Sequence, residues 1–369
     1  MDLTLTEDQR VIREEARRLL ADRMPPERLR AVIVEGQGVD AGLWATVAGE
    51  LGWAALTIPE AQDGLGLGLT ELALMMETAG ERLAPIPLWE SVCLATPVLL
   101  AVGSAAAQAV LLPRIAAGQS ATVALDPRQP EAACLTARPA ANGFVLDGRL
   151  SPALSPLADL VLVQARLGEG TAWFALEPGM GQQVQPLAGL DGTRQWGALH
   201  LDRVMVPASA RIDEGAAPDA LRRALAVAGL GLAAEQVGAA RGVMDLTLAY
   251  ITERVQFGRT IASFQAIKHR CAGLEADLAE ARALVYGVAA TADPEAFVLE
   301  VAGLRALAQD LVFRAAQEAI QLHGGVGITW EYDPHLYFKR AQSDRSLLGD
   351  PETHLDPIAA YLLDHEAKA

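Results

Sequence analysis

Hydrophobic positions recur at helical spacing through the first third of the chain. In "TEDQRVIREEARRLLADRM", Thr6 stands as an N-cap with Gln9 three residues on, a capping box, and Val11, Ile12, Ala16, Leu19 and Leu20 follow near a 3.6-residue period. The same spacing predicts helices over residues 43–51, 69–84 and 105–117. Between them, "IPEAQDGLGLGL" alternates three glycines with apolar residues, which predicts a tight loop leading into a helix at Thr70.

Near residue 121 the pattern changes. "ACLTARPAANGFVLDGRL" places two short runs on either side of "ANG", a hairpin signal, and "ADLVLVQAR", "TAWFALE", "QVQPLAGL" and "WGALHLDRVMVP" are short β-rich pieces with turn residues between them. After Asp213 the helical pattern returns over residues 221–256, 261–290 and 294–322. Helices of that length with short connections predict an antiparallel bundle. The chain thus divides into a helical part (1–118), a β part (119–212) and a helical bundle (213–369).

Composition narrows the function classes. With 369 residues, 51% hydrophobic and 21% charged, the chain can bury a large core. No window approaches the roughly 18 to 20 apolar residues of a membrane span, and "MDLTLTEDQR" lacks the basic and apolar regions of a signal peptide, so a cytoplasmic protein away from the membrane is expected. A net charge of -16 repels nucleic acid, so an anionic ligand must be met by a local basic or backbone-amide site. Cys93, Cys134 and Cys271 are odd in number and far apart, and the six histidines do not cluster, so neither a disulfide framework nor a metal site is expected. Dinucleotide-fold, Walker, H-E-x-x-H and G-x-S-x-G motifs are absent.

Two segments of the bundle could carry chemistry. "ERVQFGRTIASFQAIKHR" ends one long helix at Gly258 and starts the next, bringing Arg254, Phe257, Arg259 and Gln265 to a junction. "QLHGGVGITWEY" ends a helix with Gly324, Gly325 and Gly327, where backbone can approach a ligand. A guanidinium, an aromatic ring, a carboxamide and bare amides suit a pyrophosphate and an adenine. On the residues alone, both segments read equally as helix terminators.

"IPEAQDGLGLG", "LDGTRQWGALHLDRVMVP", "RVQFGRTIASFQAIKHRCAGL" and "QLHGGVGITWEYDPHLYFKRA" follow the order and spacing of the acyl-CoA dehydrogenases, and the chain resembles that family over nearly its whole length. The resemblance implies an α+β architecture: an N-terminal helical domain, a middle β domain and a C-terminal four-helix bundle. It also implies dimers or tetramers with FAD at the subunit interface. Arg254, Phe257, Gln265, Gln321, Gly324 and Gly325 would hold the adenine and pyrophosphate half of an FAD reaching in from the neighbouring subunit. The implied reaction is α,β-dehydrogenation of an acyl-CoA, with a glutamate as base and electrons passing to an electron-transfer flavoprotein.

Three departures from the family pattern set further expectations. Aligning "KRA" with the family's R-D-A places Leu348 where most relatives carry the base. The alternative position, early in the first long helix of the bundle, holds Ala228. Glu235 lies seven residues beyond, within about 20° of the same helical face and roughly 10 Å along the axis. It is the candidate catalytic base; the competing reading is a structural carboxylate paired with an arginine such as Arg241 or Arg270. In the β part, Asp126 and Pro127 replace a Thr-Glu pair that holds the flavin ring, and Pro152, Ala153 and Leu154 replace a second ring-binding segment. Adenine-side residues are kept while ring-side residues are altered.

That asymmetry, with the "AAEQVG" and "TWEYDPHLYFKRA" spellings, is similar to bacterial heteromeric dehydrogenases of steroid side-chain and other bulky acyl-CoAs. The expectation is one subunit of an α2β2 enzyme completing its partner's FAD site. A self-sufficient homotetramer using Glu235 and a scaffold subunit without FAD are the alternatives.

Overall fold

The computed structural model describes residues 5–36, 38–215, 218–291 and 296–366. Thr6 accepts from the Gln9 backbone while Gln9 returns a bond to the Thr6 N–H, so the capping box starts helix α1 (Glu7–Arg23). Helices α2 (Pro26–Glu35) and α3 (Ala41–Trp44) follow, α3 running on into a π-helical turn. In the glycine loop, the Gly66 and Leu67 N–H groups bond back to the Ile58 and Leu56 carbonyls, and a Cβ at Gly64 would strike the Ile58 carbonyl. The loop delivers α4 (Leu69–Glu81), whose Gly68 N–H is held by Glu71. A buried π-helical stretch, Trp89–Ala95, continues into α5 (Thr96–Val102), and α6 (Ala105–Ala116) closes this part.

The β part forms one twisted sheet. Strands β1 (Ala121–Ala124), β2 (Leu135–Ala140), β3 (Gly143–Leu154), β4 (Leu160–Leu167), β5 (Gly170–Leu176), β6 (Gln183–Leu187) and β7 (Trp196–Pro207) lie in the order β1-β4-β2-β3-β7-β6, with β5 on the other edge of β4. The predicted hairpin pairs Ala140 with Gly143. One face of the sheet buries its own core around Leu146, Val163, Phe174 and Leu199.

Beyond the sheet, the long α7 (Pro218–Glu253) leads through a short hairpin, β8 (Val255–Gln256) and β9 (Arg259–Thr260), into α8 (Gln265–Thr291). Helix α9 (Phe297–His323) follows, then α10 (Pro334–Asp344) and α11 (Pro351–Glu366). The bundle is three long helices with the two shorter ones packed on α9. Pro294, where the sequence pattern starts the third long helix, lies outside the described residues, as do the outermost residues of the first and last parts.

Helices α4 and α7 cross at close range because both carry glycine there. A Cβ on Gly80 would collide with the Glu235 carbonyl oxygen, and one on Gly238 with the Glu77 carbonyl oxygen. The largest apolar cluster runs continuously from α1 and α4 through α7 to α9, so the N-terminal helices and the bundle share one core. Among the described residues no helix is long and apolar enough to cross a membrane, and no cluster of His, Cys, Asp and Glu could hold a metal ion.

Candidate functional site

The segments singled out in the sequence meet in an open pocket of about 660 Å3 where α7 ends, α8 begins and α9 ends. Arg254, Phe257, Gln321, Gly324 and Gly325 all line it. Gln265 is the first residue of α8, next to the lining residues Ala266 and Ile267, with its amide 3.3 Å from the His269 ring.

Local backbone makes this pocket. Phe257 and Gly258 form the two-residue loop between β8 and β9, both at positive φ (54° and 79°), the conformation a two-residue hairpin favours. Glycine takes it freely, but for a bulky aromatic it is an outlier. Phe257 is nevertheless held there with its side chain 91% exposed, edge-on to Phe264. At the end of α9, Gly324 has φ 65° and ψ -141°, a region open essentially only to glycine. Gly325 has neither a positive φ nor any atom within 4 Å of a notional Cβ. Nothing within the chain therefore requires glycine at position 325.

The pocket's chemistry is donors around an apolar slot. Arg254 is exposed, and no carboxylate among the described residues pairs with it. Arg270, which the sequence reading did not place here, lines the pocket while bonded to Glu318. Ile261, Phe264, Ile267 and Val326 supply the apolar walls. His323 lies beneath, stacked on Tyr250 at 4.2 Å, with Nδ1 2.7 Å from the Ala319 carbonyl, and burial holds its pKa below the usual histidine value.

Glu235 lies in a different environment, at the centre of a buried ionic network. Its Oε2 accepts from Arg194 Nη2 at 2.7 Å, and its Oε1 accepts from Arg340 Nη1. Arg194 also donates to Asp344 at 2.9 Å, and Arg340 to Asp191 at 2.6 Å and to the Thr193 carbonyl at 3.1 Å. The carboxylate is thus paired with arginines, as the competing reading held, but not with those named in the sequence. Arg241 is bonded to Glu275 and Asp245, and Arg270 to Glu318.

Around this core the titrations split. Burial raises the Glu90 pKa despite Arg194 nearby. Asp191 is also buried, yet Arg340 and Thr193 overcome that cost and hold it below the usual carboxylate range. Glu90 accepts from the Ser155 hydroxyl at 3.0 Å through Oε1, while its Oε2 has no hydrogen-bond partner among the described residues.

The two positions expected for a base by alignment are closed. Ala228 is fully buried, and its carbonyl accepts from the Trp89 indole N–H at 2.9 Å. The Arg194 guanidinium lies 5.8 Å from the centre of the Trp89 ring. Leu348 packs partly buried against the main core, and the next residue, Gly349, donates its N–H to the Pro127 carbonyl at 2.9 Å. The altered loop after β1 is therefore tied to the segment after α10. Under that loop the crevice by Cys134, Gln164 and Trp173 is about 10 Å3, room for a single water-sized sphere.

Family models described as acyl-CoA dehydrogenase, N-terminal domain, and acyl-CoA dehydrogenase, C-terminal domain, match residues 6–119 and 219–363. Acyl-CoA dehydrogenase IpdE2 of Mycobacterium tuberculosis is 36% identical over 352 residues, covering 95% of each chain. The ChsE4-ChsE5 complex from Mycobacterium tuberculosis superposes with a TM-score of 0.88 at 29% identity, covering 98% of this chain and 99% of the other. A Tcur3481-Tcur3483 steroid ACAD variant gives 0.85 at 29% identity, covering 99% and 100%.

Proposed function

The chain belongs to the acyl-CoA dehydrogenase family, and from that membership we propose that it serves in α,β-dehydrogenation of a bulky acyl-CoA as the cofactor-completing subunit of a heteromeric enzyme. One observation carries the reading. The pocket suited to an adenine and a pyrophosphate is open, whereas both aligned base positions of the same chain carry apolar side chains packed into its own core.

The residues present fit the adenine and pyrophosphate half of FAD. Arg254 offers an unpaired guanidinium for the pyrophosphate, and Arg270 a second cation at the wall. Phe257, projecting from its strained turn, gives a flat apolar face to the adenine together with Ile261 and Ile267. The absent side chain at Gly325 leaves room for the dinucleotide against bare backbone, which supports a ligand there. A bound FAD would supply the hydride acceptor for the β position of the acyl group. Removal of the α proton is assigned to the partner subunit.

Glu235 stays in this chain as a structural carboxylate, because both of its oxygens already accept from arginine. That arrangement weighs against a homotetramer using Glu235 as base. The open pocket weighs against a scaffold without FAD. The names of the structural neighbours, one a two-component complex and one a steroid ACAD, support a heteromer and a steroid-like acyl group. An electron-transfer flavoprotein would be the acceptor for the electrons so collected.

Flavin released by heat tests the proposal, measured for the chain expressed alone and together with a candidate second acyl-CoA dehydrogenase subunit. Little flavin alone, and about one per pair on co-expression, is expected. A yellow, active homo-oligomer would overturn it.

A further inference from the structure

A second cavity shares no lining residue with the dinucleotide pocket. It measures about 390 Å3 and opens between α1, α4, α7 and α8. Arg13 from α1, Glu77 from α4, Arg241 from α7 and Arg282 with Tyr286 from α8 form its polar part, and Leu278 and Ala283 line its apolar side.

Three guanidiniums from three separate helices reach this space; the Nε–H groups of Arg13 and Arg241 are buried with no acceptor among the described residues, and that of Arg282 is ion-paired with Glu77. Arg241 is bonded through its terminal nitrogens to Glu275 and Asp245. Arg282 has its Nε 2.9 Å from a Glu77 oxygen, outside hydrogen-bond geometry, and the other Glu77 oxygen is taken by the Tyr286 hydroxyl. Among the described residues Arg13 is ion-paired with Glu14 alone, at 3.5 Å and largely exposed.

The lining carries three cations, Arg13, Arg241 and Arg282, against two carboxylates, Glu77 and Glu275, with Asp245 bonded to Arg241 from outside the lining. Buried N–H donors normally find acceptors, and an oxyanion would supply several at once. A cavity of this size suits a small ligand with one charged end.

We propose that this cavity binds a small amphipathic oxyanion, a carboxylate or phosphate meeting Arg13, Arg241 and Arg282 while a short apolar body lies against Leu278 and Ala283. The site is independent of the flavin reading and is tested on the full chain alone.

Calorimetric titration with butyrate, butyl phosphate and the neutral butyramide makes the test. Saturable binding of at least one anion and none of the amide is expected, and the stronger anion identifies the headgroup. Arg13→Gln, on a partly exposed side chain, should weaken binding about tenfold, the worth of a charge-assisted bond. Ala283→Trp should abolish it by filling the apolar side, with circular dichroism confirming that both variants fold. Absence of saturable anion binding, equal binding of butyramide, or affinity unchanged in both variants would overturn the proposal.

Discussion

Arg194 Nη2 stands 2.7 Å from Glu235 Oε2, and the pair is buried where the β part meets the bundle. The contact joins residues 41 positions apart. It brings the loop before β7 onto α7, and Asp344 on the same guanidinium adds α10. Domain placement and the role of Glu235 are therefore one question. Both oxygens of Glu235 are already engaged by guanidiniums, and removing it leaves Arg194 to Asp344 and Arg340 to Asp191, one carboxylate fewer for each buried cation.

Glu235→Ala should accordingly cost about 3–5 kcal/mol of stability, the usual result of breaking one side of a buried ion pair. Turnover per folded, flavin-loaded complex should change by no more than a few-fold. Urea unfolding and kcat on the same preparation decide it. A catalytic base would give the opposite split, with kcat down about 10²- to 10⁴-fold and stability little altered.

Phe257 separates ligand binding from folding in a different way. Its side chain is 91% exposed and its φ is 54°, so the folded single chain gains little from the ring and carries the strain of a left-handed aromatic. Phe257→Gly should leave the single chain as stable or raise its stability by about 1 kcal/mol. In the co-expressed complex the same change should lower retained flavin. A melting temperature that falls in the single chain would give the ring an ordinary packing role.

Much of this was legible in the sequence where the signal is local. Thr6 and Gln9 are three residues apart, and the glycines at 64, 66 and 68 mark a turn wherever the rest of the chain goes. The pocket between the ends of α7 and α9 and the start of α8 was legible because its residues cluster at two helix ends, each marked by glycine. What was not legible needed distant elements to meet. Arg340 lies 105 residues from Glu235 and comes from another helix, and the arginines the sequence offered, Arg241 on α7 and Arg270 on α8, face other carboxylates. Arg270 entered the pocket unannounced for the same reason, since the pocket's far wall is built from α9, about fifty residues on.

Glu90 predicts a pH dependence whose sign can be worked out. Burial raises its pKa in the folded protein, so it favours folding while protonated, and that contribution is lost as pH rises through the raised value. Glu90→Gln keeps the shape without the charge. The variant should gain stability relative to the parent as pH climbs from about 5 to about 8. Denaturation at the two values checks it; a difference between variant and parent that does not change with pH would place the charge on Glu90 throughout. Asp191, held low by Arg340, acts in the opposite direction and only in acid, so it does not confuse this window.

The crossing of α4 and α7 makes the last prediction. Gly80 and Gly238 each face a carbonyl of the opposite helix with no room for a methyl group, and those carbonyls belong to Glu235 and Glu77. Gly238→Ala must push the helices apart at the point that positions both the ionic network and the guanidinium-lined cavity, and should cost about 1–3 kcal/mol by overpacking. Gly273 in the middle of α8 is the matched control, because nothing lies within 4 Å of a Cβ there. Gly273→Ala should stabilise the single chain by about 0.5–1 kcal/mol through helix propensity. If Gly273→Ala also blocks assembly with the second subunit, the open space on α8 is where the partner's backbone approaches; if assembly is intact, the partner contacts another face.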